Sequence, residues 1–249
     1  MTVIELNDLT QAYGSRVAIH RINLTLGTGA FGLLGPNGAG KTALLRTIAT
    51  RIAPREGTLS FQGTDLKSHK ALRAARREIG FLPQSFDFPG QFSVYEFVSY
   101  CAWLREVPER QIKQATWAAL ERTGMADRAK TPMRKLSGGM LRRVGIAQAI
   151  AGTPKLVILD EPTTGLDPKQ RTDFRRLIRE LSDDCCVVLS THIAEDVSHT
   201  CAHVGVLHEG RLLFQGSPAE LEKLSVAGVE GDTEFERGYA SVIEGGRDA

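Results

Sequence analysis

Gly35–Thr42 reads GPNGAGKT, and the residues on either side of it decide how it folds. Before it, Phe31–Leu34 is a short apolar run suited to a buried strand; after it, a helix begins near Lys41. A glycine-rich turn between a strand and a helix that opens on Lys-Thr matches the phosphate-loop pattern in its required context. The chemistry accounts for the residue types. Backbone N–H groups of Gly35, Asn37, Gly38, Ala39 and Gly40 must close around phosphate oxygens, with Pro36 setting the turn among them, and Gly35, Gly38 and Gly40 allow the close approach and unusual φ this needs. The helix N-terminus adds partial positive charge. Lys41 is placed to neutralise β- and γ-phosphate oxygens, and the Thr42 hydroxyl to bind Mg²⁺, so the chain is expected to bind a nucleoside triphosphate.

Further along, Leu156–Pro162 reads LVILDEP, four apolar residues and then two acids where a buried strand ends. Strand ends beside a phosphate loop are where open α/β sheets bind ligands. Asp160 is placed to hold Mg²⁺, directly or through water, and Glu161 to orient and polarise an attacking water. Leu136–Met140 reads LSGGM and opens a helix that continues through LRRVGIAQAI. Two readings stand for this start: Ser137 as a helix cap with a flexible entry, or a second anion site made by Ser137, free N–H groups and the helix dipole.

Between these motifs the hydrophobic period changes. Ile22, Leu24 and Leu26 alternate as in a strand; Gly57–Gln62 and Ile79–Leu82 read as strands and Lys70–Arg77 as a helix. Ser93 and Glu96 form a capping box before a helical stripe of Val94, Phe97, Val98, Cys101 and Leu104, and Pro108 opens a second helix reaching about Thr123. The last third returns to α/β, with strands at 156–159, 185–190 and 204–207, a helix at 168–181 and another near Ala194. A hairpin follows at His208–Arg211, and the Ser217-Pro218-Glu220 cap starts one more helix. The layout is an α/β core with an all-helical insert from about Phe92 to Ala151. Beyond Ala227 glycine and acids dominate, and order is not expected there.

Composition bounds the function. With 249 residues, 31 basic against 29 acidic, 42% hydrophobic and 24% charged, this is a globular chain with a full core, not a disordered one, and no nucleic-acid partner is expected from so small a net charge. No stretch is apolar for long enough to cross a bilayer, and MTVIELNDLT does not read as a secretory signal. The four cysteines show no zinc spacing and read as buried thiols in a reducing compartment. Trp103 and Trp117 read as packing residues; Phe86, Phe88 and Phe92 suit either core or an apolar groove for a partner's helix.

Taken together, these motifs resemble, in order and over about residues 2–217, the nucleotide-binding subunit of an ATP-binding-cassette (ABC) transporter. Tyr13 matches the aromatic loop that stacks on adenine, GPNGAGKT the Walker A loop, Gln84 in FLPQ the Q-loop and LSGGM the signature. LVILDEP matches the Walker B strand, Gly165-Leu166-Asp167 the D-loop, and His192 in STH the switch histidine. The resemblance implies a P-loop ABC ATPase core with an N-terminal antiparallel β subdomain and an inserted α-helical subdomain at about 92–151, in a single domain over 2–217. Residues 218–249 would add a C-terminal helix and acidic tail. It implies ATP and Mg²⁺ as cofactors, with Gln84 joining Thr42 and Asp160 around the metal and linking it to a transmembrane permease. It also implies a head-to-tail dimer with a second ABC ATPase subunit, in which Ser137, Gly138, Gly139 and Asp167 face the partner's nucleotide. Glu161, His192 and Gln84 would be the catalytic set. Such a subunit would be cytoplasmic and peripheral on the cytoplasmic face of the membrane.

Two departures from the family pattern matter. Ala43 stands where a second hydroxyl usually touches the α-phosphate, a loss of about 1 kcal/mol. Met140 replaces the usual glutamine; with the basic residues after it, it is similar to the exporter branch related to drug, antibiotic and lipid transporters, whose permease is a separate chain. The expected function is an ATPase subunit that powers export through such a permease. The alternative is a soluble ABC ATPase that remodels a cytosolic assembly.

Overall fold

The computed structural model describes residues 1–226 and 228–246. The chain opens with β1 (Thr2–Tyr13) and β2 (Arg16–Gly27), a long antiparallel hairpin with Ile4, Leu6, Leu9, Ile22 and Leu24 turned inward, and continues into β3 (Gly29–Leu34). After the glycine-rich turn come α1 (Lys41–Ile48), β4 (Glu56–Phe61), β5 (Thr64–Asp65), α2 (His69–Glu78) and β6 (Ile79–Leu82). A helical stretch follows, α3 (Val94–Leu104), α4 (Glu109–Arg122) and α5 (Gly138–Ile150). The chain then alternates through β7 (Leu156–Asp160), α6 (Pro168–Ser182), β8 (Cys186–Thr191), α7 (Ala194–Ser198), β9 (His203–His208) and β10 (Arg211–Gly216). It ends with α8 (Pro218–Glu222) and α9 (Glu234–Gly245).

Two sheets result, one in the order β2-β1-β4-β5 and antiparallel, the other in the order β10-β9-β3-β8-β7-β6. In the second, β3, β6, β7, β8 and β9 run parallel and only β10 is antiparallel. Every residue of β7 and β8 is buried, which is why LVILD and CVVLST are near-continuous apolar runs rather than alternating ones: helices or the other sheet cover both faces. Parallel strands deliver their carboxyl ends to one edge. Register pairs Leu34 with Thr191, Asp160 with Ser190 and Leu82 with Leu159, so the loops after β3, β8, β7 and β6 open side by side.

The structure differs from the sequence reading in four places. Leu104 is 56% exposed instead of continuing the α3 stripe. At about 100° per residue, Arg105 falls in line with Val94, Val98 and Cys101, while Leu104 lies beyond Phe97 at the edge of the stripe, roughly a quarter turn from its centre. Arg105 uses that position to donate to the carbonyls of Gln148, Ala149 and Ala151 at the end of α5. Trp103 is 60% exposed and stacks on Tyr100 rather than packing inside. Cys185 precedes β8; its amide and thiol both donate to the Leu181 carbonyl and close α6. Most clearly, α9 is an ordered helix where none was expected. Thr233 and Glu236 form a capping box, Phe235 is buried, and Gly238 lies so close to the Leu221 carbonyl that a Cβ would collide with it. Phe235, Tyr239, Val242 and Ile243 carry the helical spacing that glycine and acids mask. Ala227 and residues 247–249 of the acidic stretch lie outside the described residues.

Candidate functional site

The phosphate loop is shaped by its support. A Cβ at Gly35 would run into the Leu207 carbonyl of β9, and Gly40, with φ of 106°, would place one 2.6 Å from the Ala18 carbonyl of β2. The loop is thus pressed against both sheets, and Gly210 of the β9–β10 turn donates to the Ala39 carbonyl at 2.8 Å. Pro36, Asn37 and Gly38 are exposed, and the stretch Pro36–Ala43 forms the floor of a cleft of about 830 Å³. Its walls carry Tyr13, Arg16, His20, Gln84, Glu161 and Glu209. Tyr13, 48% exposed at the end of β1, presents its ring at the rim.

Lys41 is buried, and its ammonium donates to the Gly35 carbonyl at 2.6 Å and the Pro36 carbonyl at 3.2 Å. It lies 3.8 Å from Glu161 Oε1. Burial lowers its pKa, while Glu161 and Asp160 pull it back up. The other oxygen of Glu161 is 2.9 Å from His192 Nδ1, so the imidazole that follows the end of β8 is hydrogen-bonded to the Glu161 carboxyl group. Glu161 is buried and sits at φ of 51°, a left-handed conformation that is strained for a residue with a side chain. Its amide is held by the Ser190 carbonyl at 3.1 Å and Ser190 Oγ at 3.0 Å.

Asp160 is fully buried. Ser190 Oγ donates to its Oδ1 at 2.6 Å, while Oδ2 has no hydrogen-bond partner. An unpaired buried carboxylate oxygen beside a phosphate loop is chemically suited to a hard cation, together with the Thr42 hydroxyl. Sequence reading missed Ser190, though a hydroxyl ending the apolar run CVVLS was the available signal. It also missed Arg142. This residue is 7% exposed, and its guanidinium reaches from α5 to the carbonyls of Pro83, Gln84, Asp160, Glu161 and Pro162. Desolvation lowers its pKa, and the charges of Asp160 and Glu161 oppose that.

The structure thus brings the loop Gly35–Thr42, Tyr13, Gln84, Asp160, Glu161 and His192 together at one sheet edge. It does not bring Ser137, Gly138, Gly139 or Asp167 there. Ser137 is exposed and accepts from the Met140 amide at 3.4 Å as the cap of α5. Asp167 is exposed and caps α6 through the Gln170 amide at 2.8 Å. None of the four lines the cleft.

The chain resembles known proteins in sequence and fold. Residues 19–164, more than half of the chain, match the family described as ABC transporter. The Nod factor export ATP-binding protein I of Cupriavidus metallidurans is 36% identical over 221 residues, covering 88% of this chain and 72% of that protein. The protein of the same name from Rhizobium meliloti is 35% identical over 231 residues, covering 91% and 68%. Among solved structures, cbiO1 from Clostridium perfringens, part of the ABC transporter complex cbiONQ, superposes with a TM-score of 0.76 at 30% identity, over 91% of this chain and 95% of that one. An ATP-binding subunit of an ABC transporter gives a TM-score of 0.84 over 96% and 99% at 24% identity, a likeness of fold. No described helix is long and apolar enough to cross a membrane. Motif order, sheet topology and these relatives agree that the chain belongs to the ABC transporter family, as an ATP-binding subunit with ATPase activity.

Proposed function

We propose that this subunit hydrolyses MgATP in a head-to-tail dimer and thereby drives export through a separate permease at the cytoplasmic face of the membrane. The observation that carries the dimer is the division of the motifs: the cleft holds the loop, Gln84, Glu161 and the adenine-facing Tyr13, whereas the exposed Ser137 and Gly138 and the half-buried Gly139 lie outside it. An exposed helix N-terminus with free N–H groups suits the γ-phosphate of a second subunit's nucleotide. Export is supported by the names of the relatives that share most of the chain, Nod factor export ATP-binding proteins.

In this reading the loop amides and Lys41 bind the β- and γ-phosphates, for which the Gly35 and Pro36 carbonyls must release the ammonium. Thr42, Asp160 and Gln84 would hold Mg²⁺, which when bound neutralises charge developing on the phosphates. Glu161 orients and polarises the attacking water, and His192, already on Glu161 Oε2, fixes that carboxylate and faces the γ-phosphate. Asp167 contributes from the partner's side. Residues 2–217 act as one ATPase domain, with 92–151 as its helical insert and 218–249 as an appendage docked through α9.

A second cleft, between α2 and α3, is lined by Phe86, Phe97, Tyr100 and Leu104 together with Arg46 and Arg51. It begins just past Gln84, and it is where the permease's cytoplasmic segment would dock. The test is a mild-detergent pull-down from native membranes with a tag on this chain. A stoichiometric polytopic membrane protein is the expected result; a soluble complex without one would overturn the transport reading while leaving the ATPase in place.

A further inference from the structure

Arg142 is the most heavily engaged side chain near the site, and no motif accounts for it. A guanidinium has five N–H donors in a rigid fork, and here all five are used. Nε donates to the Pro162 carbonyl at 3.3 Å, and Nη1 to Pro83 and Gln84 at 3.1 and 3.0 Å. Nη2 donates to Asp160 and Glu161. Every acceptor is a backbone carbonyl, and they come from two separate segments: the exit of β6 and the exit of β7.

The sheet itself explains why a side chain is needed there. Pairing between β6 and β7 stops at Leu82 with Leu159, and the next residue, Pro83, has no N–H to offer. The carbonyls beyond that point would be buried without donors, at a cost comparable to several lost hydrogen bonds. Arg142 replaces the missing ladder. It does so at the peptide that carries the strained, left-handed Glu161, a conformation that persists only when its surroundings over-determine it. Ser190 fixes the amide side of Glu161, and Arg142 fixes the carbonyl side. The same fork holds the carbonyl of Gln84.

We propose that Arg142 is a positioning residue for hydrolysis, holding the backbones of Glu161 and Gln84 in one register so that both side chains converge on the γ-phosphate. It touches neither nucleotide nor water; it acts through the two peptides it joins. Because Arg142 lies on α5, which starts at Gly138 behind its cap Ser137, the helix that would face the partner's nucleotide in the proposed dimer also sets this subunit's own catalytic backbone. The inference rests on the hydrolytic reading above.

The test is steady-state hydrolysis and nucleotide binding by the purified full chain carrying Arg142→Lys, Arg142→Gln or Arg142→Met, with Glu161→Gln alongside. Lysine can offer three donors, glutamine two and methionine none. Misplacement of a catalytic group by about 1 Å can cost two orders of magnitude in rate. Expected is a graded fall in kcat, about tenfold or more for Gln and deeper for Met, with affinity for a fluorescent ATP analogue within about threefold of the parent. Should Gln and Met variants fail to fold, Arg142→Lys, which keeps the buried charge, decides alone by the same split. Unchanged kcat in a folded variant overturns the proposal. So does an affinity that falls in step with kcat, which would make Arg142 a support of the whole site. A parent without turnover, or a Glu161→Gln variant that keeps it, would instead defeat the hydrolytic reading itself.

Discussion

Glu161 concentrates the chemistry of the site in one residue. Its two oxygens face Lys41 and His192, its amide is held by Ser190 and its carbonyl by Arg142, so the carboxylate has little freedom left to lose when substrate arrives. Glutamine in its place keeps the shape and removes the charge that polarises water. The Glu161→Gln variant should therefore bind MgATP, accumulate as a dimer in light scattering, and lose about 10²–10⁴-fold in turnover, the range a positioned general base contributes. Turnover close to the parent's would remove Glu161 from the catalytic role. The sequence displayed this residue well, since DEP at the end of an apolar strand is hard to misread. It displayed Arg142 poorly, because an arginine on a basic helix looks solvated until the chain is folded and five carbonyls are found around it.

At the scale of elements, α5 is the keystone between the helical stretch and the sheet. It lies on β6 so closely that a Cβ at Gly80 would strike the Ala149 carbonyl, and Gln148 Nε2 donates to the Phe81 carbonyl at 2.8 Å across the same contact. Gly80→Ala should force the two apart and destabilise the fold by about 1–3 kcal/mol, the usual cost of overpacking, seen as a lower Tm in calorimetry. An unchanged Tm would mean that α5 does not rest on β6. Here too the sequence was only partly legible. Capping boxes at Ser93 and Ser217 announced their helices, but the box at Thr233 was passed over because its acids resembled those of a disordered tail. Leu104 misled because a stripe read over five positions does not reveal which of two neighbouring residues completes the turn.

Across the whole molecule, burial of the cysteines makes stability pH-dependent. Desolvation pushes the Cys186 and Cys201 thiols from 9.0 up to about 12, so the folded chain keeps protons that the unfolded chain releases. Their contribution is complete below about pH 9 and is lost as pH rises toward 12, at up to about 1.4 kcal/mol per pH unit for each thiol. Urea unfolding at pH 8 and pH 10.5 should show a steeper loss for the parent than for a Cys186→Ala/Cys201→Ala variant; equal slopes would mean the thiols are not buried as described. That burial follows from topology. So does the site: by itself the sequence determined the phosphate loop, the acid pair, the signature and the alternation of strand and helix, because each is a local pattern of residue types over a few positions. Only the tertiary structure decided which of them meet. Parallel strands bring the loops after β3, β6, β7 and β8 to one edge, while α5 and α6 turn Ser137 and Asp167 away from it. The pairing of Arg142 with backbone carbonyls as much as 59 residues distant is decided there as well, because backbone acceptors leave no mark in a sequence and become visible only when strands end and their partners depart.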